Sequence, residues 1–179
     1  MAIFVFVDNS NVWIEGKFAS AVKKGYSANL YEAHDQNHQD QSWFIDFGRL
    51  LYKATDTRVD EVTRAVLFGS KPTDKDSLWN AMRNSGFEVF NIPRNVANKE
   101  KKVDTGIVAE ILKTLYIHAT NGDEFILIMG DSDFVPVIKQ IRDRGMKTKV
   151  VFWENVSGEL KAEADEYLNL SPAIDEITF

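Results

Sequence analysis

The sequence predicts an α/β domain built on a parallel sheet of about five strands, and three observations carry that prediction. Five short runs rich in β-branched and aromatic residues recur along the chain, at 3–7, 61–68, 87–92, 125–129 and 147–153. Between them stand segments whose apolar residues repeat at three- and four-residue steps, the period of a helix with one buried face. The first and fourth runs, IFVFV and FILIM, are apolar at every position, as in parallel strands covered on both faces. Strands alternating with helices imply right-handed crossover connections.

Each element has a local reason. The first run ends in Asp8-Asn9-Ser10-Asn11, where Ser10 or Asn11 can cap a helix reaching about Tyr26, with Val12, Trp13, Phe18 and Val22 on its apolar side. Residues 27–41 are a long polar stretch without a period, expected to be a mobile loop or lid. Trp43 to Ala54 reads helical through Phe44, Phe47, Leu50 and Leu51. Gly69 ends the second strand, and Asp74 caps a helix to Ser85 that buries Leu78, Trp79 and Met82 before Gly86 closes it. After the third strand comes a basic loop, PRNVANKEKK, at 93–102. Asp104 then starts a long helix ending near Asn121-Gly122, with a stripe of Ile107, Val108, Ile111, Leu112 and Leu115. Gly130 stops the fourth strand, and a helix begins at Phe134 with Pro136 in its first turn, where a missing N–H is harmless. Gly145 ends that helix, the fifth strand follows, and Leu160 to Tyr167 reads as a last short helix.

A length of 179 residues, 44% of them hydrophobic and 27% charged, fits one soluble globular domain spanning 1–179. The net charge of −6 excludes a general, charge-driven nucleic-acid binder, so any such site must be local. The chain has no cysteine, which removes disulfides and thiolate metal sites and fits a reducing, cytoplasmic compartment. The N-terminal apolar run is about seven residues long and has no basic flank, so neither a signal peptide nor a membrane partner is expected. No sequence feature decides between a monomer and a homodimer.

The acidic residues follow from the topology. If the chain winds one way through strands one to three and returns for four and five, strands one and four are neighbours at a switch point, where open α/β sheets place their sites. Asp8, Asp131 and Asp133 then converge on the C-terminal edge, and Asp104 joins them from the helix after strand three. Glu110 is a weaker member, about 240° around that helix and roughly 9 Å along it. Carboxylates crowded together repel one another and raise their pKa values unless a cation neutralises them. Oxygen-only donors suit Mg²⁺ or Mn²⁺. Taken singly, Asp104, Asp131 and Asp133 read equally well as helix caps; the set points to a metal or phosphate site. Arg94, Lys99, Lys101 and Lys102 lie on the same edge and could hold substrate phosphates, whereas Arg142, Arg144 and Lys147 fall at the opposite edge. Trp13 and Trp153 could stack on bases or fill the core. His34 and His38 read as solvent-exposed and His118 as helix surface.

Three motifs together carry a resemblance: Asp8-x-x-Asn11 after strand one, Lys102-Val103-Asp104 with an acid at Glu110, and Gly130-Asp131-Ser132-Asp133-Phe134 after strand four. They resemble the NYN domain of the PIN-like nuclease superfamily, and in particular its bacterial LabA-like members. Ser157-Gly158-Glu159-Leu160 followed by Ala164-Asp165 is similar to how those members end, and the resemblance runs from Ile3 to about Leu170. It implies a three-layer α/β/α, PIN-like domain acting as a metal-dependent endoribonuclease, with RNA as substrate and Mg²⁺ or Mn²⁺ as cofactor. Asp8, Asp104, Asp131 and Asp133 map onto the family's acidic site and Asn11 onto its asparagine, with Asn11 and Ser132 supporting the carboxylates. The chain departs from the pattern at Met129, where a serine is frequent, at Lys102, where a glycine is frequent, and at Glu110, where an aspartate is usual. Two other readings stand beside this one: an RNA-binding or regulatory protein that keeps the pocket without cleaving, and a haloacid-dehalogenase-like phosphatase. The phosphatase is suggested by Gly130-Asp131 but needs a second aspartate two residues after its nucleophile, and Ser10 stands there.

Overall fold

The computed structural model describes residues 1–70, 76–92 and 99–179, without the side chains of residues 70, 76, 91, 92 and 99–103. In chain order the elements are β1 (Ile3–Asp8), α1 (Asn9–Lys23), α2 (Leu30–Asp35), α3 (Phe47–Ala54), β2 (Val62–Ser70), α4 (Asp76–Asn84), β3 (Glu88–Ile92), α5 (Lys99–Ile117), β4 (Glu124–Ile128), α6 (Val135–Asp143), β5 (Lys147–Phe152), α7 (Gly158–Glu163) and β6 (Glu166–Asn169). The strands form one parallel sheet in the order β3-β2-β1-β4-β5-β6. β1 and β4 are therefore neighbours, and the winding reverses between them, the arrangement on which the convergence of the acids was conditional.

Strand parity builds the two flanking layers. Ile3, Val5 and Val7 of β1 pack with Val12 and Phe18 of α1, Leu50 and Leu51 of α3, and Trp79 and Met82 of α4. Phe4 and Phe6 point the other way, onto Ile107, Ile111 and Leu115 of α5 and Val137, Ile138 and Ile141 of α6. Full burial of each such aliphatic side chain contributes about 1.5–3 kcal/mol, so both layers are held firmly to the sheet. Gly86 and Gly145 close α4 and α6 at φ +95° and +80°, where a side chain would be strained.

The structure corrects several expectations. The sheet has six strands, because the segment expected to be one helix over 160–167 divides into α7 and β6. The cause is a contact 17 residues away along the chain: the Asp165 carboxylate accepts hydrogen bonds from the backbone N and Oγ1 of Thr148, both at 2.8 Å, and turns the chain onto the edge of β5. The stretch 27–41 is not a loose lid. It contains α2, capped by Asn29, and ends on Asp40, a residue only 4% exposed. The Asp40 carboxylate accepts from Ser20 Oγ at 2.6 Å and Ser42 N at 3.0 Å and pairs with Lys24 Nζ at 2.6 Å. α3 begins at Phe47 rather than Trp43, where Asp46 caps it through Arg49 N at 2.9 Å. α5 begins at Lys99 rather than Asp104. The expected cap at Asp74 and most of the basic loop at 93–102 lie outside the described residues.

Candidate active site

β1 delivers Asp8 to the C-terminal edge. The alternation that sends Phe4 and Phe6 to the α5 side continues to Asp8, which therefore faces α5. Neither Ser10 nor Asn11 caps α1; Asp8 does, its carboxylate accepting the backbone N–H of Asn11 at 3.3 Å. Only 5% of the residue is exposed. Asp104 sits half-buried in the second turn of α5. β4 supplies the third acid. Phe125, Leu127 and Met129 share the face of Phe6, and the same parity carries Asp131 there. Gly130 is needed before it, because a Cβ there would collide with the Phe152 ring of β5. Asp131 is exposed and caps a short 3₁₀ turn, Ser132–Phe134, accepting Asp133 N at 3.1 Å and Ser132 Oγ at 3.4 Å. Asp133 is exposed beside it.

The electrostatics join these residues. Burial pushes the Asp8 carboxyl up from its ordinary 3.8 to about 6, and the negative charges of Asp104 and Asp131 push the same way. The backbone N–H groups of Asn11 and Ser10 relieve part of this. Two acids from distant parts of the chain thus act on Asp8. The donor set suits a hard divalent cation, which would offset the repulsion at the buried carboxylate. Among the described residues no three acidic or histidine side chains are drawn close enough to grip one ion, and the carboxylates of Asp8 and Asp131 each accept a backbone N–H as helix caps.

With this geometry in view, the comparisons with known proteins are direct. The family model for the NYN domain matches residues 2–171. The chain belongs to the NYN domain family. A crystal structure of a protein of unknown function from Vibrio parahaemolyticus shares the fold, with a TM-score of 0.70 at 20% identity over 99% of this chain and 96% of that one. No curated protein gives a significant match.

Other residues of this NYN domain fall into place around the acids. Glu110 is not brought to the cluster. Its carboxylate pairs with Arg64 at 2.8 Å and Lys113 at 3.7 Å. Arg64 sits in the register of Phe4, four residues before Asp8, and also holds Glu88 and Thr114. Six residues of helix had carried Glu110 roughly 9 Å from the edge, and it braces α5 against β2 there. Asn11 approaches Asp8 through its backbone rather than its amide. Lys99, Lys101 and Lys102 stand in the first turn of α5, just before Asp104, and Arg94 lies outside the described residues. Trp153 is core: it is fully buried and its Nε1 donates to Val12 O at 2.9 Å. Arg142 pairs with Glu163 at 2.9 Å and Arg144 stacks on Tyr116, both away from the site. His34 bonds Glu15 at 2.8 Å, and His38 bonds Ser27 at 2.9 Å.

Asn9 escaped sequence reasoning. It follows Asp8 directly, is 5% exposed, and has no side-chain hydrogen bond among the described residues. Its amide lines a cleft with Trp13, Phe44, Phe47, Leu78 and Met82. Nothing in the residue pattern marked it, since Asn9 opens α1 and stands beyond the strand alternation that places Asp8.

Proposed function

We propose that this NYN domain is a metal-dependent endoribonuclease that hydrolyses RNA phosphodiester bonds at the Asp8–Asp104–Asp131 edge. The observation that carries the reading is the buried Asp8 carboxyl, raised to about 6 by burial and by two neighbouring acids. A site with that field favours a bound cation. Asp8, Asp104 and Asp131 would hold Mg²⁺ or Mn²⁺, with Asp133 as an outer donor. The ion, when bound, supplies Lewis acidity that lowers the pKa of water and offsets charge on the phosphate.

The chain's own residues do the positioning. The N–H of Asn11 and the hydroxyl of Ser132 fix the carboxylates of Asp8 and Asp131. Asp133 orients the attacking water, whose oxygen bonds to phosphorus as the bond to the departing ribose oxygen breaks. Arg94 and the lysines opening α5 hold flanking phosphates, which gives local attraction on a chain of net charge −6. The lack of cysteine suits work in a reducing cytoplasm.

A second reading, RNA binding without cleavage, is favoured by one observation: Asp8 and Asp131 spend their carboxylates on caps. Incubating the protein with labelled single-stranded and structured RNAs, under Mg²⁺, Mn²⁺ or chelator, separates the two. Cleavage should need metal and fall on the order of a hundredfold or more in Asp8→Asn and in Asp131→Asn, with unchanged circular dichroism. Metal-independent cleavage, or full activity in both variants, would sink the proposal, and binding without cleavage under every metal would establish the second reading.

A further inference from the structure

The ladder between β1 and β4 stops short of the acids. It ends at the pair Val7 and Ile128, and Asp131 stands three residues further, in the turn after β4. The loop 153–157, between β5 and α7, reaches that turn. One end of the loop is fixed to α1, the helix that Asp8 caps: Trp153 Nε1 donates to Val12 O at 2.9 Å, and Asn155 Nδ2 donates to Glu15 Oε2 at 2.6 Å. Val12 and Glu15 lie about one and two turns beyond Asp8, on the same side of that helix. The other end is fixed to the turn, where Ser157 N donates to Gly130 O at 2.9 Å, on the residue before Asp131. Between the two, Val156 packs against the cores of both faces, so the loop crosses the edge of the sheet from the α1 layer to the α5–α6 layer.

Trp153 is core and Ser157 acts through its backbone, so a substitution at either disturbs more than the tie. The bond from Asn155 to Glu15 is different. Asn155 is exposed, so its loss leaves no cavity, and Glu15 keeps its contact with His34 Nε2 at 2.8 Å when the amide is gone. A bond from an amide to a carboxylate is also of the stronger kind. We propose that Asn155 and Glu15 are positioning residues, which act through the loop 153–157 to fix where Asp131 stands relative to Asp8. The inference rests on the proposed cation site and deepens it by naming what sets the spacing of its acids. Mg²⁺ demands near-ideal octahedral geometry, so a turn free to drift from β1 lowers affinity although every carboxylate is still present. Residues that orient ligands without touching the ion typically account for roughly 10–100-fold in affinity.

The test is a calorimetric titration of the full chain with Mn²⁺, paired with amide exchange in chelator. Asn155→Ala and Glu15→Ala should each weaken Mn²⁺ binding about tenfold, and the double variant no further than either alone, because both cut one tie. Glu15→Gln keeps an oxygen that accepts from Asn155 and should bind as the natural chain does. A loss in Glu15→Gln equal to that in Glu15→Ala would mean that the charge acts on the ion and not the tie, and would overturn the inference. Asp40→Ala, which loosens the segment packed on the far end of α1, should leave the affinity unchanged; an equal loss there would reduce the effect to general destabilisation and overturn the inference as well. In chelator, amide exchange over 131–134 should quicken in Asn155→Ala while β1 stays protected. Quickened exchange in a protein that binds no Mn²⁺ keeps the tie and refutes the cation site; Mn²⁺ binding that Asn155→Ala and Glu15→Ala leave unaltered refutes the tie alone.

Discussion

Asp8 holds two roles that pull against each other. As the cap of α1 it gains from being ionised, yet it is buried beside two other acids. Because its pKa in the fold, about 6, lies above the ordinary 3.8, the folded state binds this proton more tightly than the unfolded chain does. Its effect on stability is therefore most favourable below 3.8, worsens as pH rises towards 6, and is level above that. A shift of this size corresponds to about 3 kcal/mol at neutral pH. Asparagine is also a good cap, so Asp8→Asn keeps the helix start and removes the charge. In chelator, urea melts should show the variant equal to the natural chain near pH 4 and more stable by about 2–3 kcal/mol at pH 7. Mn²⁺ should narrow the gap by raising the natural chain alone. A variant less stable than the natural chain at pH 7 would mean that the carboxylate is not strained in the fold. The sequence marks Asp8 plainly, by an apolar strand that ends in an acid. It hides Asn9, because no pattern of residue types distinguishes an amide that lines a cleft from one that caps a helix.

At the scale of elements, α1 and the segment after it form one unit. The polar run 27–41 has no period, so nothing in its own composition shows that it is anchored. What anchors it are Ser20 on α1 and Lys24 just past its end, sixteen to twenty residues back, meeting Asp40. These hydrogen bonds and the Lys24 ammonium hold the Asp40 carboxyl well below the usual range, against its burial. Asp40→Ala leaves the Ser20 hydroxyl unmatched in a buried place and should destabilise the protein by about 2–4 kcal/mol in urea melts. Amide exchange should rise around Asp40 in the same variant. A loss under about 1 kcal/mol would show that the segment is held by something else. β6 was illegible for the same reason. The hydrogen bonds that turn the chain onto β5 run from Thr148 to the Asp165 carboxylate, and such long-range pairs leave no mark on local periodicity. Helix cores, by contrast, were legible down to single residues, as with Trp79 and Met82 or Ile107, Ile111 and Leu115.

On the scale of the whole molecule, the reversal between β1 and β4 is the organising fact. It brings Asp8, Asp104 and Asp131 to one place from over a hundred positions of chain. Glu110 was the misleading member. Its spacing from Asp104 leaves its direction open, and its partner Arg64 lies 46 residues earlier, on β2. A titration of Mn²⁺ at neutral pH, followed by calorimetry, tests the shared cation site most directly. The natural chain should bind the ion, Asp8→Asn, Asp104→Asn and Asp131→Asn should each weaken binding by about tenfold or more, and Glu110→Gln should leave it unchanged. Unaltered affinity in the three aspartate variants, or its loss in Glu110→Gln, would contradict the account.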